Sequence, residues 1–180
     1  MLDAQTVRAK TKTRSHHLLV RAAEFFALLM LGVELGVSYS HMMQWPGKLQ
    51  LSLPTFIEVQ TVLIKYKIGL GIVEIGSFVL MVLLLLLVPS RTLKFCLVLC
   101  SLALLTAAFS VWGILIEPIN AYIDSWTPDS YPFNWNEYRE RWHLLHIIRL
   151  LLLTGSMSSL IASALVSKDY RTSGLRDRTV

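Results

Sequence analysis

The sequence predicts an all-α protein, a bundle of four transmembrane helices with both termini in the cytoplasm. Hydrophobic residues make up 54% of the chain and charged residues only 16%, whereas soluble domains average about 25% charged residues. The mean hydropathy is +0.54. Four apolar runs are long enough to cross a bilayer as helices, which takes about 20 residues: residues 18–40, 62–88, 92–116 and 144–166.

The basic residues predict the orientation of these spans. Ten of the seventeen Lys and Arg residues lie in three regions, residues 8–14, 91–94 and 168–178, and basic residues favour the cytoplasmic side of a membrane. The tails, residues 1–17 and 168–180, then flank a membrane domain of residues 18–167. This topology accounts for the net charge of +5, so we expect a lipid bilayer as partner and no nucleic acid. We expect the protein in the inner (plasma) membrane of a bacterium.

The first span carries three charged residues. Arg21 and Glu24 are separated by three positions, so they share a helix face and are expected to pair. Glu34 has no cation within one turn, and small residues on both sides of it would let another helix approach closely. We therefore expect Glu34 to find its partner on another span.

The connection over residues 40–61 contains Trp45-Pro46 and Pro54, which predict an ordered loop on the outer leaflet. His41 follows Glu34 by seven positions and shares its face if the helix continues that far.

Spans two and three contribute Glu74 and Trp112. Glu74 lies at a depth comparable with that of Arg149 on span four, so the two are expected to form a buried ion pair. Span three has no ionisable residue between Lys94 and Glu117. Pro118 is expected to end that helix, so that Asn120 turns over the top of the bundle.

The fourth span presents a polar face inside an apolar sequence. Trp142, His146 and Arg149 follow one another at i, i+4 and i+7 and share one helix face. An ionisable residue in a membrane segment costs about 2.5–3.5 kcal/mol on insertion scales and normally faces the bundle interior. Because the polar residues are confined to the outer half, the sequence predicts a pocket that is closed below and not a channel.

These motifs resemble the anthrone oxygenase-like family of small four-helix membrane proteins, largely catalogued as a domain of unknown function. The resemblance covers residues 20–165 and includes Trp45-Pro46-Gly47-Lys48, although Gln44 stands where an acid is expected. It implies oxidation of a phenolic, polycyclic anthrone to a quinone by dioxygen, without an organic cofactor. The residues that carry it on the last two spans are Trp112, Pro118, Asn120, Arg141-Trp142, His146 and Arg149, and by position it implies functional roles for Asn120, Trp142, His146 and Arg149.

The first functional hypothesis is an oxygenase-like membrane oxidoreductase for a small hydrophobic substrate, phenolic or polycyclic aromatic. His146 would act as general base, while Arg149 and Asn120 would stabilise the resulting anion. Glu34, Glu74 and Trp112 would line the substrate pocket.

The cofactor prediction is open between none and a single transition metal, iron or copper. Imidazole and carboxylate ligands suit such metals, and the candidate ligands are His41, His143, His146 and Glu34.

The alternative hypothesis is a non-catalytic accessory or assembly subunit of a membrane complex, or a homo-oligomer, in which the polar face serves packing specificity. A small transporter is disfavoured because the chain lacks an inverted repeat and polarity in its inner half.

The orientation has a direct test. A fluorescent reporter that matures only in the cytoplasm should be bright when fused after Val180, because the basic residues place that end inside. The same reporter fused after Ser130, in the predicted outer loop, serves as the control and should be dark. A dark C-terminal fusion of a normally expressed protein would refute the predicted orientation.

Overall fold

The computed structural model describes residues 4–64 and 67–176, with side chains for residues 11, 13–62 and 69–166. Parts of the predicted tails, residues 1–3 and 177–180, lie outside the described residues, as does Lys65. Within these ranges the protein has helices and no strand, which confirms the all-α part of the prediction. The helices are α1 (Ala4–Lys48), α2 (Leu53–Ile64), α3 (Lys67–Leu87), α4 (Leu93–Ser110), α5 (Glu117–Asp124) and α6 (Trp135–Arg176).

Three helical stretches of the described chain are long and apolar enough to cross a membrane, as in an integral membrane protein. They are Gly69–Leu87, Leu93–Asp124 and Trp135–Val166. The charged helix α1 is not among them, but it packs along α3 and α6, and α4 packs against α6 and α3. The four long helices therefore form one bundle.

The first helix is longer than predicted. It does not end near residue 40 but continues through Pro46 to Lys48, so the predicted outer loop over residues 40–61 is wrong. The extra turns present His41 to Trp142 and stack Trp45 on His143. Because Pro46 lies in the last turn, it removes only one helical hydrogen bond, and packing against α6 outweighs that loss. The rest of the connection folds as α2.

The third span also continues past the predicted end at Pro118. A π-helical segment, Val111–Ile116, joins α4 to α5, and the Glu117 amide donates to the Trp112 carbonyl five residues earlier. Pro118 then occupies the first turn of α5, directly after the π segment, so its missing N–H interrupts the helical hydrogen bonds at the junction of the two segments. The wider π turn therefore accommodates Pro118, and the helix continues through Asn120 to Asp124.

Two apolar cores hold the bundle together, and a polar layer lies between them. The first core joins all four long helices through residues that include Ala27, Leu31, Leu84, Val98, Leu153 and Leu160. The second joins α2, α5 and the start of α6 through residues that include Phe56, Ile116, Ile123, Trp126, Trp142 and Leu145. Along α6, His146 and Arg149 fall between Leu145 of the second core and Leu153 of the first. The cores thus fix the height at which the polar side chains meet.

At the opposite end of the bundle, Glu24 pairs with Lys94 of α4 and not with Arg21 as predicted. The turn before α4 contains Arg91 in the left-handed conformation, with φ of 65°. Thr92 then caps α4 by accepting a hydrogen bond from the Phe95 amide at 3.1 Å. This capped turn brings Lys94 to α1, so the partner of Glu24 is set by helix packing.

A reciprocal hydrogen bond between α4 and α6 gives a test of the close packing. The Ser101 hydroxyl donates to the Ser156 carbonyl at 2.7 Å, and the Ser156 hydroxyl donates to the Ser101 carbonyl at 2.9 Å. Ser156→Leu should lower stability by about 1–3 kcal/mol, since extra carbons in a packed interface force the helices apart. Ser158→Leu, at an exposed position of the same helix, is the control. Equal melting temperatures for the two variants in detergent would contradict this contact.

Candidate functional site

The polar layer encloses a cavity of about 70 Å³. Three further residues that sequence reasoning did not select, Val37, Gln60 and Leu70, contribute to its wall. The structure thus brings most of the predicted site together from α1, α3, α5, α6 and the π segment. The predicted site residues that line the cavity are His41, Glu74, Trp112, Asn120, Trp142, His146 and Arg149.

The ion pair between Glu74 and Arg149 is confirmed. The guanidinium Nη2 of Arg149 donates to Oε1 of Glu74, and the two residues are only 6% and 5% exposed. Each charge neutralises the other, so α3 and α6 can bury both. The Nε of Arg149 is buried and has no hydrogen-bond partner in the described chain.

Glu34 finds a partner on another helix, as predicted, but the partner is a hydroxyl. Ser77 of α3 donates to Oε1 of Glu34, while the second oxygen, Oε2, has no hydrogen-bond partner among the described residues. Arg149 adds an electrostatic attraction. Glu34 is not among the residues that line the cavity, so it lies beside the predicted pocket and does not form its wall.

Two imidazoles meet at the cavity. The ring centroids of His41 and His146 are 4.4 Å apart, and His146 lies 4.1 Å from the Trp142 ring. His146 is only 4% exposed, yet neither of its nitrogens has a hydrogen-bond partner in the described chain, and the same is true of Nδ1 of His41. A buried unpaired polar atom costs about 1–3 kcal/mol. These nitrogens therefore have unused hydrogen-bonding capacity, and they belong to residues that line the cavity.

Asn120 orients Trp142. The indole Nε1 of Trp142 donates to Oδ1 of Asn120 at 2.7 Å, and the Asn120 amide nitrogen donates to Glu117 at 3.1 Å. Asn120 lies within α5, so it does not turn over the top of the bundle as expected. Both ends of its side chain are engaged, and it fixes the indole that forms one wall of the cavity. The predicted role of Asn120 as a donor to a substrate anion would require it to give up Glu117.

The predicted metal ligands do not come together as one set. His143 is buried and stacks on Trp45, with the rings nearly parallel and 5.4 Å apart, and it does not line the cavity. In the described chain, no group of three or more His, Cys, Asp and Glu residues is placed to hold a metal ion. Of the four candidates, His41 and His146 adjoin at the cavity while His143 and Glu34 stand apart. The donor set therefore does not fit a metal.

Sequence reasoning missed a second polar cluster beside the cavity. The Lys48 ammonium donates to Oε1 of Gln60 at 2.9 Å and lies 4.8 Å from the centre of the Trp142 ring. Arg139 donates to the backbone carbonyls of Lys48 and Leu51 at 3.1 and 3.4 Å, so it caps the end of α1. The seven-residue spacing from His41 to Lys48 would have indicated a shared face, had α1 been expected to continue.

No protein-family model matches the chain, and no curated protein or solved structure is significantly similar to it. The resemblance to the anthrone oxygenase-like family therefore stays a prediction. The function has to be argued from the chemistry of the cavity.

Removal of Arg149 should reveal the energetic role of the ion pair. Arg149→Met should lower stability by about 3–5 kcal/mol, because it leaves Glu74 as a buried, unpaired charge. The double variant Arg149→Met, Glu74→Gln should recover much of the loss, since it removes both charges. Arg141→Met, at an exposed position of the same helix, is the control for loss of a basic residue. Unchanged thermal stability of Arg149→Met in detergent would show that the pair does not hold α3 to α6.

Proposed function

We propose that this protein is an oxygenase-like membrane oxidoreductase that acts on a small hydrophobic substrate, phenolic or polycyclic aromatic, in the cavity of the polar layer. The observation that carries the proposal is the environment of His146. It is a buried imidazole that lines the cavity and lies against a second imidazole, and neither of its nitrogens has a hydrogen-bond partner among the described residues. A histidine that served only to join helices would use at least one nitrogen in a hydrogen bond.

The proposed membrane arrangement has four spans, which are α1 and the three apolar stretches. The acidic residues that make α1 less apolar than the three other stretches have partners inside the bundle. Lys94 forms an ion pair with Glu24, and the Ser77 hydroxyl donates a hydrogen bond to Glu34. A helix whose acids face its neighbours can present apolar residues to lipid, and Phe25, Phe26 and Leu29 are exposed on its surface. With both termini in the cytoplasm, the cavity lies in the outer half of the inner membrane of a bacterium.

The proposed chemistry starts with proton removal. His146 takes a proton from a phenol or from a carbon activated by adjacent aromatic rings, and neutral imidazole is suited to this role near neutral pH. The resulting electron-rich carbanion or enolate is oxidised by dioxygen. For a methylene carbon the balance is R₂CH₂ + O₂ → R₂C=O + H₂O. Both C–H bonds break, one oxygen atom forms the carbonyl, and the other leaves as water with the two hydrogens.

The shape of the cavity constrains how such a substrate binds. Pockets for drug-sized ligands are about 300–1,000 Å³, so a cavity of about 70 Å³ accepts only the reacting edge of an aromatic ring together with dioxygen. The rest of a polycyclic substrate would extend towards lipid or the outer surface. Trp142 offers the ring a flat apolar wall, and Asn120 holds that wall in place.

The alternative, a non-catalytic accessory or assembly subunit of a membrane complex, is favoured by the ion pair. Glu74 and Arg149 neutralise each other, so these two buried charges are explained by structure alone. A homo-oligomer would be compatible with either function. His146 distinguishes the two hypotheses, because architecture leaves its nitrogens unused.

Substrate turnover by a His146 variant tests the proposal. With anthrone as substrate, His146→Gln should lower the rate of quinone formation by about 10²–10⁴-fold, because it removes the general base, while leaving thermal stability near that of the parent. His16→Gln, at an exposed position, is the control, and empty lipid nanodiscs give the rate of spontaneous oxidation. Quinone formation is followed by absorbance and dioxygen consumption by electrode. Full activity of His146→Gln, or a parent rate equal to that of empty nanodiscs, would refute the catalytic assignment.

A further inference from the structure

Lys48 is a buried cation without a carboxylate partner among the side chains that the structure describes. Its residue is only 4% exposed, and its ammonium donates to the neutral amide oxygen of Gln60. Of the other buried cations among the described residues, Arg149 contacts the Glu74 carboxylate, and Arg139 donates to backbone carbonyls. No ion pair of Lys48 occurs in the part of the chain whose side chains the structure describes. Burying an uncompensated charge is unfavourable, so this arrangement needs an explanation.

The described surroundings of Lys48 supply no negative charge. The ionisable groups that face it are His41 on its own helix and Arg139, His143 and His146 on α6, and none of these groups carries negative charge. The amide oxygen of Gln60 on α2 accepts a hydrogen bond from Lys48. The Trp142 ring contributes a cation–π contact at 4.8 Å, a partial compensation of about 0.5–2 kcal/mol.

The helix end does not supply the missing negative charge either. The carbonyls at the C-terminus of α1 would attract a cation, but Arg139 already donates to those of Lys48 and Leu51. Side chains on a helix lean towards its N-terminus, which carries the ammonium of Lys48 back along α1. Both groups that it contacts there, Gln60 and Trp142, line the cavity. Lys48 is not itself among the residues that line the cavity, so its ammonium lies directly behind the wall that Gln60 and Trp142 form.

We propose that Lys48 and Gln60 form an anion subsite of the cavity, which holds the negatively charged oxygen of an aromatic ligand, a phenolate, enolate or carboxylate. The ammonium contributes the charge and two further N–H donors, since only one is used by Gln60. The subsite specifies the class of substrate for the proposed function, an aromatic compound with a negatively charged oxygen. This inference rests on the proposed function, because both use the same cavity. An aromatic oxyanion is also what proton removal by His146 produces.

The subsite gives Lys48 and Arg149 different roles. The charge of Arg149 is balanced by Glu74, so it attracts a developing anion less than a free cation would. Lys48 has no such counter-charge, and a preorganised cation in a dry site is an effective stabiliser of negative charge. Lys48 is therefore the residue that meets the oxyanion, whereas Arg149 holds the helices that position His146.

Binding of matched small aromatic compounds tests the subsite without any turnover. The probes are benzoate, which is anionic at neutral pH, and benzamide, which has a similar shape and no charge. In nanodiscs of zwitterionic lipid at pH 7, calorimetry should show benzoate binding at least about 10-fold more tightly, as expected for a charge-assisted hydrogen bond. Lys48→Met should reduce this preference to about 2-fold or less, and Lys48→Arg should keep part of it. Lys94→Met, which removes a lysine paired with Glu24 at the other end of the bundle, should keep the preference.

The outcomes separate the subsite from the proposed function. Equal binding of the two probes by the parent, binding of neither, or an unchanged preference in Lys48→Met would overturn the subsite whatever the result with anthrone. A Lys48-dependent preference without any oxidation of anthrone would support the subsite and reject the oxidoreductase. Loss of benzoate binding in nanodiscs that contain phosphatidylglycerol would assign Lys48 to a lipid headgroup and overturn its assignment to a cavity ligand.

Discussion

The ion pair between Arg149 and Glu74 is the constraint on which the rest of the bundle depends. Neither charge can face lipid, and each would be strongly unfavourable inside the bundle alone. Their contact therefore fixes the height of α3 relative to α6 and turns the polar face of α6 inward. His146, one turn from Arg149 on the same face, is carried into the interior by the same requirement.

The polar layer is stable because apolar cores close it on both sides. The core of the four long helices lies on one side of the polar layer, and the core formed by α2, α5 and the start of α6 lies on the other. Asn120 accepts a hydrogen bond from Trp142, and Ser77 donates one to Glu34. Neither nitrogen of His146 has a hydrogen-bond partner among the described residues. The bundle thus combines a rigid wall with a few uncommitted polar atoms, which is the arrangement that a binding or reacting site requires.

Charge is divided between two cations with different roles. Arg149 is neutralised within the protein, so its effect is structural, and Lys48 is not neutralised by any described carboxylate. The Lys48 ammonium depends on the unexpected continuation of α1, because a helix that ended near residue 40 would leave it in an exposed loop. The π segment has a parallel effect on the other side, since it keeps Trp112 and Asn120 on one continuous helical run. Both irregularities occur beside prolines, and both add residues to the cavity.

The sequence by itself determined the all-α class, the approximate position of the apolar runs and the shared face of Trp142, His146 and Arg149, because hydropathy and helical periodicity are local properties. It also predicted the pairing of Glu74 with Arg149 from their matching depths. Only the tertiary structure decided that Glu24 pairs with Lys94, that the helices continue past Pro46 and Pro118, and that Lys48 contacts Gln60 and Trp142 at the cavity wall. These outcomes depend on contacts between residues far apart in the chain, whose packing outweighs the local preference of a proline or of a nearby opposite charge.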